Sequence, residues 1–192
     1  VSEATITADV TLCMAAVKQG LLKHPGRSKV GEIHLMDIGI RRISDHIQDQ
    51  LPEMIDDAFA SSHLPKRPDD GHKGTFGTCL VLAGSQNYMG AAFLAGKAAY
   101  LAGCGLVHIA TLENVQQALA GELVEAVWTI LPSLNGGYNP EGTVKIQSII
   151  RKTDSIVIGP GWGLNKENVA FLERLLAIIP KDIPTLIDAD GL

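Results

Sequence analysis

The sequence has few cysteines, few aromatic residues and no long apolar run, and these shortages exclude several classes of protein. Three cysteines in 192 residues, without a Cys-x-x-Cys pair, exclude a disulfide framework and indicate reduced thiols in the cytoplasm. No apolar run approaches the ~18 residues of a membrane span, and no N-terminal stretch resembles a signal peptide. The six histidines form no His-x-His or His-x-x-x-His pair, so we expect no zinc site.

Basic residues are also in the minority, since 16 Lys and Arg stand against 21 Asp and Glu, for a formal net charge of −5. This acidic balance argues against nucleic acid as a partner. Apolar residues make up 46% of the chain, which excludes disorder and is enough for one full core and a small additional piece. Glycine is abundant, at 20 positions, and several glycines cluster after predicted strands.

Composition divides the first part of the chain into two segments. Residues 1–40 hold two strand-like runs, Ile6–Cys13 and Glu32–Ile38, which are too few to form a core of their own. We therefore predict that this segment is the end of a domain whose body lies upstream. Residues 41–71 are predicted to be a linker, with an amphipathic helix over Ile43–Ala60 followed by an exposed Pro-rich stretch.

From residue 72 onward, short apolar runs alternate with helix-forming segments, which predicts an α/β domain. Because the strand runs are apolar throughout, the sheet should be mostly parallel and covered by helices on both faces. The predicted strands are Cys79–Ala83, Leu106–Ala110, Ala126–Leu131, Ser155–Ile158 and Pro184–Ile187. The predicted helices are Gly90–Ala102, Asn114–Ala120, Val144–Lys152 and Lys166–Ile179.

Two glycine-rich loops follow predicted strands, at the edge where open parallel sheets bind ligands. In the first, Gly84 and Gly90 let the backbone approach a ligand, and the next helix offers unpaired N–H groups to a phosphate. The spacing fits neither G-x-G-x-x-G nor a P-loop, so packing alone explains this loop equally well. The second loop, Gly159-Pro-Gly-Trp-Gly, precedes a helix that Asn165 can cap. Together the loops predict an anionic ligand such as a nucleotide.

A pair of carboxylates, Asp188 and Asp190, follows the last predicted strand. Carboxylates at this place can bind Mg²⁺ through water or accept a hydrogen bond from a ribose. A turn in which one Asp caps the backbone and the other is solvated explains them equally well. No combination of a nucleophile with a base is evident, and the metal ligands stay unassigned.

Five motifs occur in order over residues 72–192. They are His72-Lys-Gly-Thr-Phe-Gly, the loop that ends in Gly90-Ala-Ala, Ala102-Gly-Cys-Gly-Leu-Val, Ile158-Gly-Pro-Gly-Trp-Gly and Ile187-Asp-Ala-Asp-Gly-Leu. Together they resemble the NAD(P)H-hydrate dehydratases, which have the ribokinase-like fold. The front of the chain resembles the end of an NAD(P)H-hydrate epimerase domain, which precedes the dehydratase in bifunctional bacterial members. That likeness rests on Ile6-Thr-Ala-Asp-Val-Thr, Lys18-Gln-Gly-Leu and Val30-Gly-Glu-Ile-His-Leu-Met-Asp-Ile-Gly-Ile.

The resemblance implies a repair of hydrated NADH and NADPH. The epimerase would interconvert the two epimers with K⁺, and the dehydratase would remove water from the S form with ADP or ATP and Mg²⁺. In the family's accepted scheme the ring hydroxyl is phosphorylated and phosphate is then eliminated. Glycine loops, helix N-termini and a metal suit such a step because it needs positioning and charge neutralisation. The family also implies a cytoplasmic homo-oligomer, commonly a tetramer.

The resemblance also assigns individual residues. It places Ala91, Gly161 and Gly163 against the hydrated dinucleotide, and we expect Gly84, Gly90, Asp188 and Asp190 to line the nucleotide or metal crevice. Trp162 stands where the family usually has Leu, and we expect it to narrow or reshape the pocket mouth.

A further expectation concerns the catalytic residues of the dehydratase and the epimerase. The dehydratase's catalytic base would follow Leu192, and the epimerase's catalytic Asp and potassium ligands would precede Val1. We therefore expect a truncated ribokinase-like domain with no catalytic residue in this chain, and negligible turnover by the chain alone. Two alternatives stay open, a ribokinase-like kinase of a small alcohol and a non-catalytic nucleotide-binding module. The choice between ADP and ATP, and between the hydrates of NADH and NADPH, also stays open.

Overall fold

The structure, a computed structural model, describes residues 5–39 and 55–192. It divides the chain into two compact units, Val1–Pro65 and Lys66–Leu192, so the division falls within the segment predicted as a linker. Within the described ranges, every helix is too short or too polar to span a bilayer.

The first unit contains a two-stranded parallel sheet. Strand β1 (Val10–Met14) pairs with β2 (Glu32–Met36) in continuous register, and helix α1 (Gln19–Leu22) and a 3₁₀ turn (Gly26–Lys29) connect them. Strand β2 ends two residues earlier than predicted, because Asp37 accepts a hydrogen bond from a backbone N–H in the turn that follows.

The core of this small sheet is minimal. Among its described apolar residues, Cys13 and Val30 are buried, while Leu12, Met14 and Leu35 are each more than half exposed. These strands therefore do not form a core of their own, as the sequence predicts.

Helix α2 (Asp57–His63) begins at Asp56, whose Oδ1 accepts a hydrogen bond of 2.8 Å from the backbone N–H of Phe59. Most of the helix predicted over Ile43–Ala60 lies outside the described residues. The described helix ends three residues beyond that prediction, because the N–H of Leu64 donates to the carbonyl of Ala60 at 3.1 Å and closes a further turn. The ring of His63 in this turn stacks on Phe59 with centroids 4.1 Å apart.

The second unit is a five-stranded parallel sheet flanked by helices, which confirms the predicted α/β architecture. The strands are β3 (Thr78–Leu82), β4 (Leu106–Leu112), β5 (Val127–Leu131), β8 (Ser155–Ile158) and β9 (Thr185–Ile187). Their order in the sheet is β5-β4-β3-β8-β9, and every neighbouring pair is parallel. The helices are α3 (Met89–Leu101), α4 (Glu113–Leu119), α5 (Thr143–Ile150) and α6 (Lys166–Ile178). The predicted boundaries lie within two residues of these.

A small antiparallel hairpin between β5 and α5 was not predicted. Strands β6 (Ser133–Leu134) and β7 (Gly137–Tyr138) flank Asn135 and Gly136, which both have positive φ values, 48° and 82°. An Asn-Gly turn of this kind matches the twist of a hairpin. Two residues per strand are too few to show the alternation from which a strand is recognised.

The small residues of helix α3 serve packing. Ala92 and Gly96 are buried, and a Cβ at Gly96 would lie 2.9 Å from Cδ1 of Ile109 and 3.1 Å from Cδ1 of Leu123. A side chain at Gly96 would therefore require the buried side chains of Ile109 and Leu123 to move.

Two of the five motifs pack against each other where strands β3 and β4 begin. The backbone N–H of Gly105 lies 3.1 Å from the carbonyl oxygens of Phe76 and Gly77, and a Cβ at Gly105 would overlap the carbonyl of Lys73. These motifs therefore lie at the opposite end of the sheet from the remaining three, and their glycines serve the fold.

Candidate active site

The remaining motifs follow three adjacent strands. Leu82 of β3 pairs with Ile158 of β8, which pairs with Ile187 of β9, so the three strands end side by side. From β3 the chain moves outward to β4 and β5 on one side and later returns to β8 and β9 on the other. Such a reversal of strand order opens a crevice at the carboxyl ends of the strands, where open α/β sheets bind ligands.

Backbone hydrogen bonds continue from the sheet into the loops. The N–H of Gly84 donates to the carbonyl of Pro160 at 2.8 Å, and the N–H of Gly159 donates to Leu82 at 3.1 Å. The N–H of Asp188 donates to Ile158 at 3.0 Å. The two glycine loops and the Asp-Ala-Asp turn are therefore held together as one rigid edge.

A cavity of about 750 Å³ lies at this edge. Five of the seven predicted site residues line it, namely Gly90, Ala91, Gly161, Gly163 and Asp190. Five further residues line it that the sequence did not indicate, namely Asn87, Tyr88, Met89, Leu94 and Leu164.

The glycines of the cavity have two different roles. A Cβ at Gly90 or at Gly163 would meet no atom of residues 5–39 and 55–192 within 4 Å, so both backbones face open space that a ligand can approach. At Gly161, φ is +70° and a Cβ would lie 2.5 Å from the Cβ of Ala91. Gly161 therefore allows the second loop to pack against the start of helix α3.

The structure differs from the sequence prediction at Gly84, which lies outside the cavity. Gly84 is buried with φ +84°, and a Cβ there would lie 3.0 Å from the Cβ of Ala92 and 3.1 Å from Cγ1 of Val115. Close packing under the loop, the alternative explanation of this glycine, is the one that the structure supports.

Asp188 also lies outside the cavity lining, in contrast to the prediction. It is exposed, and its side chain does not cap the 3₁₀ turn Ala189–Gly191 that follows. The backbone of Asp188 packs directly against Gly159, since a Cβ at Gly159 would overlap the carbonyl of Asp188. Only a glycine allows that approach.

Asp190 is half-buried, and its Oδ2 accepts a hydrogen bond of 2.8 Å from the N–H of Gly163. None of the described lining residues is Lys, Arg or His, so this carboxylate sets the charge of the cavity. A phosphate would be attracted instead to the N-terminus of α3, where Met89 and Gly90 have no acceptor within the helix for their N–H groups.

Magnesium is the metal that the resemblance implies. Residues 5–39 and 55–192 contain no cluster of three or more His, Cys, Asp or Glu that could hold a metal ion. Mg²⁺ at nucleotide sites is held by one or two carboxylates together with phosphates and water. Asp190 fits such a shared arrangement, but the described residues do not complete a metal site by themselves.

A buried tyrosine supports the first loop from below. The hydroxyl of Tyr138 donates to the carbonyl of Gly84 at 2.6 Å, and Thr111 donates to the neighbouring carbonyl of Ala83 at 2.7 Å. Burial raises the pKa of the Tyr138 phenol well above its ordinary value of 10.0, so this hydroxyl remains a donor.

Comparison with known proteins identifies the family. A sequence model described as NAD(P)H-hydrate dehydratase matches residues 79–192, which is more than half of the chain. The chain belongs to the NAD(P)H-hydrate dehydratase family.

Relatives by sequence include enzymes with one and with two functions. The bifunctional NAD(P)H-hydrate repair enzyme of Moorella thermoacetica is 33% identical over 97% of this chain and 35% of its own length. The ADP-dependent (S)-NAD(P)H-hydrate dehydratase of Staphylococcus aureus is 33% identical over 69% of this chain and 45% of its own length. The chain therefore spans about a third to under half of these curated relatives.

Solved structures show the same fold. The ADP/ATP-dependent NAD(P)H-hydrate dehydratase of Bacillus subtilis, crystallised with ATP and Mg²⁺, is 31% identical with a TM-score of 0.53 over 70% of this chain and 45% of that one. A ribokinase-like superfamily protein of Enterococcus faecalis is 27% identical with a TM-score of 0.55 over 64% of this chain and 40% of its own. The predicted ribokinase-like fold is confirmed.

Trp162 does not shape the cavity mouth as predicted, because it lies outside the cavity lining. It is 2% exposed and lies in the core below the loop, with ring centroids 5.1 Å from Tyr138 and 5.6 Å from Phe171. Its Nε1 finds no hydrogen-bond partner within the described part of the chain.

Sequence reasoning also missed Asn168, a buried polar residue on helix α6 of this dehydratase-family domain. Asn168 follows the same helical spacing as the buried Phe171 and Leu175. A polar residue on an otherwise apolar helix face was the feature that could have revealed it.

Proposed function

We propose that this chain forms part of an enzyme that dehydrates the S form of hydrated NADH or NADPH with ADP or ATP. In the net reaction the nicotinamide ring loses a hydroxyl oxygen from one carbon and a proton from the neighbouring carbon. The oxygen leaves as inorganic phosphate with the terminal phosphoryl group of the nucleotide, so that ADP becomes AMP or ATP becomes ADP. The observation that carries the proposal is the cavity in which Gly90, Ala91 and Gly163 meet, since these are positions of the family's motifs.

The described residues supply binding and orientation. The open backbones at Gly90 and Gly163 admit a ligand at van der Waals distance, and the N-terminus of α3 favours a phosphate. Asp190 keeps a second carboxylate oxygen, Oδ1, with which it can accept a hydrogen bond from a ribose or ring hydroxyl. Positioning of this kind is the main contribution that a protein makes to phosphoryl transfer.

We further propose that residues 5–39 belong to an epimerase part, with its K⁺ requirement. The support is the 97% coverage of this chain in its alignment with a bifunctional relative. A cytoplasmic location and a homo-oligomeric state, such as a tetramer, complete the proposal. Analytical ultracentrifugation tests the oligomer, and a single sedimenting monomer contradicts it.

The test of the dehydratase proposal is calorimetric titration of the chain with (S)-NADPH hydrate, with unhydrated NADPH as the comparison ligand. We expect the hydrate to bind more tightly, because its ring hydroxyl offers a hydrogen-bond donor that NADPH lacks. Failure of the hydrate to bind, or equal affinity for both, contradicts the proposal. Turnover with ADP or ATP is measured in parallel, and the expected negligible turnover by this chain alone remains a prediction.

Gly90→Ala shows whether the hydrate occupies this cavity. Gly90 is the second residue of α3 and its Cβ would meet nothing, so the variant should fold normally and gain up to ~1 kcal/mol of helix stability. The added methyl enters the cavity, and we expect the affinity to fall roughly tenfold. Gly20→Ala is the matched control, since Gly20 is the second residue of α1 and is equally unobstructed.

A further inference from the structure

Asn168 uses its whole side-chain amide to hold backbone groups. It is 4% exposed, in the first turn of α6. Its Nδ2 donates to the carbonyl oxygens of Trp162 and Gly163, both at 2.8 Å, and its Oδ1 accepts the N–H of Tyr138 at 2.8 Å. Both N–H groups and the oxygen of the amide are therefore bonded, as a buried amide requires.

The partners of Asn168 determine the orientation of its amide. Two of the three groups around it are carbonyl oxygens, which only accept, and the third is a backbone N–H, which only donates. A flipped amide would point its oxygen at the carbonyls of Trp162 and Gly163, so a single orientation satisfies all three. Replacing the amide with a group of the same shape but without N–H donors therefore removes the hydrogen bonds to the two carbonyls while the side-chain volume stays the same.

Gly163 is held on both sides. Its carbonyl accepts from Asn168, and its N–H donates to Asp190 at 2.8 Å. Its φ of +74° lies in the left-handed region, and no atom in the described part of the chain would lie within 4 Å of a Cβ there. Since packing does not fix this glycine, the two side-chain hydrogen bonds are what define its conformation at the cavity wall.

We propose that Asn168 is a positioning residue for the ligand site, which together with Asp190 fixes the Gly163 peptide groups in the conformation that binds the dinucleotide. The inference rests on the proposed function for the identity of the ligand, hydrated NADH or NADPH. A loop fixed before binding loses less conformational freedom when the ligand arrives, so affinity rises without any new contact to the ligand.

Asn168→Asp is the decisive variant, because it keeps the shape and the acceptor for Tyr138 but places an oxygen against two carbonyls. We expect roughly a tenfold or larger loss of affinity for (S)-NADPH hydrate by calorimetry. We also expect faster hydrogen exchange of the Gly163 and Leu164 amides, measured in the absence of ligand. Asn168→Ala provides the same comparison if the Asp variant does not fold.

Leu175→Val is the control for a purely structural role. Leu175 is fully buried on the same helix and has no polar side-chain atom, so this variant lowers stability without touching the loop. We expect its affinity to stay within about twofold of wild type and exchange at Gly163 to be unchanged. A similar effect of both changes on affinity and exchange overturns the positioning role.

The two proposals fail in different ways. If wild type does not bind the hydrate, the proposed function fails, while faster exchange at Gly163 in Asn168→Ala still supports the positioning of the loop. If wild type binds the hydrate and Asn168→Ala changes neither affinity nor exchange, the positioning role is wrong and the proposed function stands.

Discussion

The backbone N–H of Gly163 donates to Oδ2 of Asp190 at 2.8 Å, across 27 residues of sequence. The bond ties the loop after β8 to the turn after β9, and both residues line the same cavity. Two motifs that the sequence shows only as separate strand ends therefore act as one structural element. The carboxylate is at once part of the cavity wall and a support of the glycine beside it.

Replacement of Asp190 should show how much its hydrogen bond to Gly163, as distinct from its charge, contributes to stability. Asp190→Ala removes the acceptor for the Gly163 N–H, and we expect the free energy of unfolding to fall by about 1 kcal/mol in urea titrations. Asp190→Asn keeps an acceptor oxygen without the charge and should stay within ~0.5 kcal/mol of wild type. Asp182→Ala, at an exposed residue outside the cavity, is the control and should be neutral.

Gly161→Ala should destabilise the domain strongly. At φ +70° an alanine is strained, and its Cβ would lie 2.5 Å from that of Ala91 and 2.9 Å from that of Tyr88. We expect a loss of ~2–4 kcal/mol in the free energy of unfolding. Gly121→Ala should change it by less than ~0.5 kcal/mol, because no atom of the described residues lies within 4 Å of the added Cβ. Equal effects of the two changes would show that the loop does not pack on α3 in this way.

The sequence predicted the sheet, and the edge at which we expect a ligand, for a simple physical reason. Strands buried on both faces are apolar throughout, and a ligand site at their carboxyl ends needs glycine where backbone approaches backbone or ligand. The glycine requirement is local in sequence and gave the expectation for Gly90, whereas Ala91 and Gly163 were expected at the site from the resemblance to the family. These residues share one cavity because β3 and β8 are neighbours in the sheet, and the order of strands could not be read from the sequence.

The structure places two residues elsewhere than expected, and tertiary contacts are the reason. Gly84 packs against Ala92 and Val115 below the loop, and the ring of Trp162 lies in the core. Two features of its hydrogen bonds hid Asn168 from sequence reasoning. Its partner Tyr138 is 30 residues away, and the other groups that it contacts are backbone carbonyls, which every residue has.

Tyr138→Phe should reduce stability in a pH-dependent manner. At neutral pH the variant leaves the Gly84 carbonyl without its 2.6 Å donor, and we expect a loss of about 1–3 kcal/mol. Because burial raises the pKa of the folded-state phenol above 10.0, wild type should lose stability as the pH rises above 10, where the unfolded chain ionises first. The difference between wild type and variant should therefore shrink in alkaline urea titrations.

The control for this pH effect is Tyr88→Phe, at a tyrosine that is 57% exposed. It should leave the pH dependence of wild type unchanged. A constant difference between Tyr138→Phe and wild type from pH 8 to pH 11 would mean that the phenol ionises as readily in the folded as in the unfolded protein.

His108 should make the domain less stable in acid. Its ring lies 2.8 Å from the hydroxyl of Thr129, and burial lowers its pKa below 6.5. The contribution of the neutral ring is complete above pH 6.5. It is lost as the pH falls from 6.5 to the folded-state pKa, with a slope of at most ~1.4 kcal/mol per pH unit, because the unfolded chain binds the proton first.

His108→Gln should flatten this part of the stability curve in urea titrations from pH 7.5 to pH 4.5, whereas His72→Gln, at an exposed histidine, should leave it unchanged. Parallel curves for wild type and His108→Gln would show that the proton is bound equally well in the folded sheet.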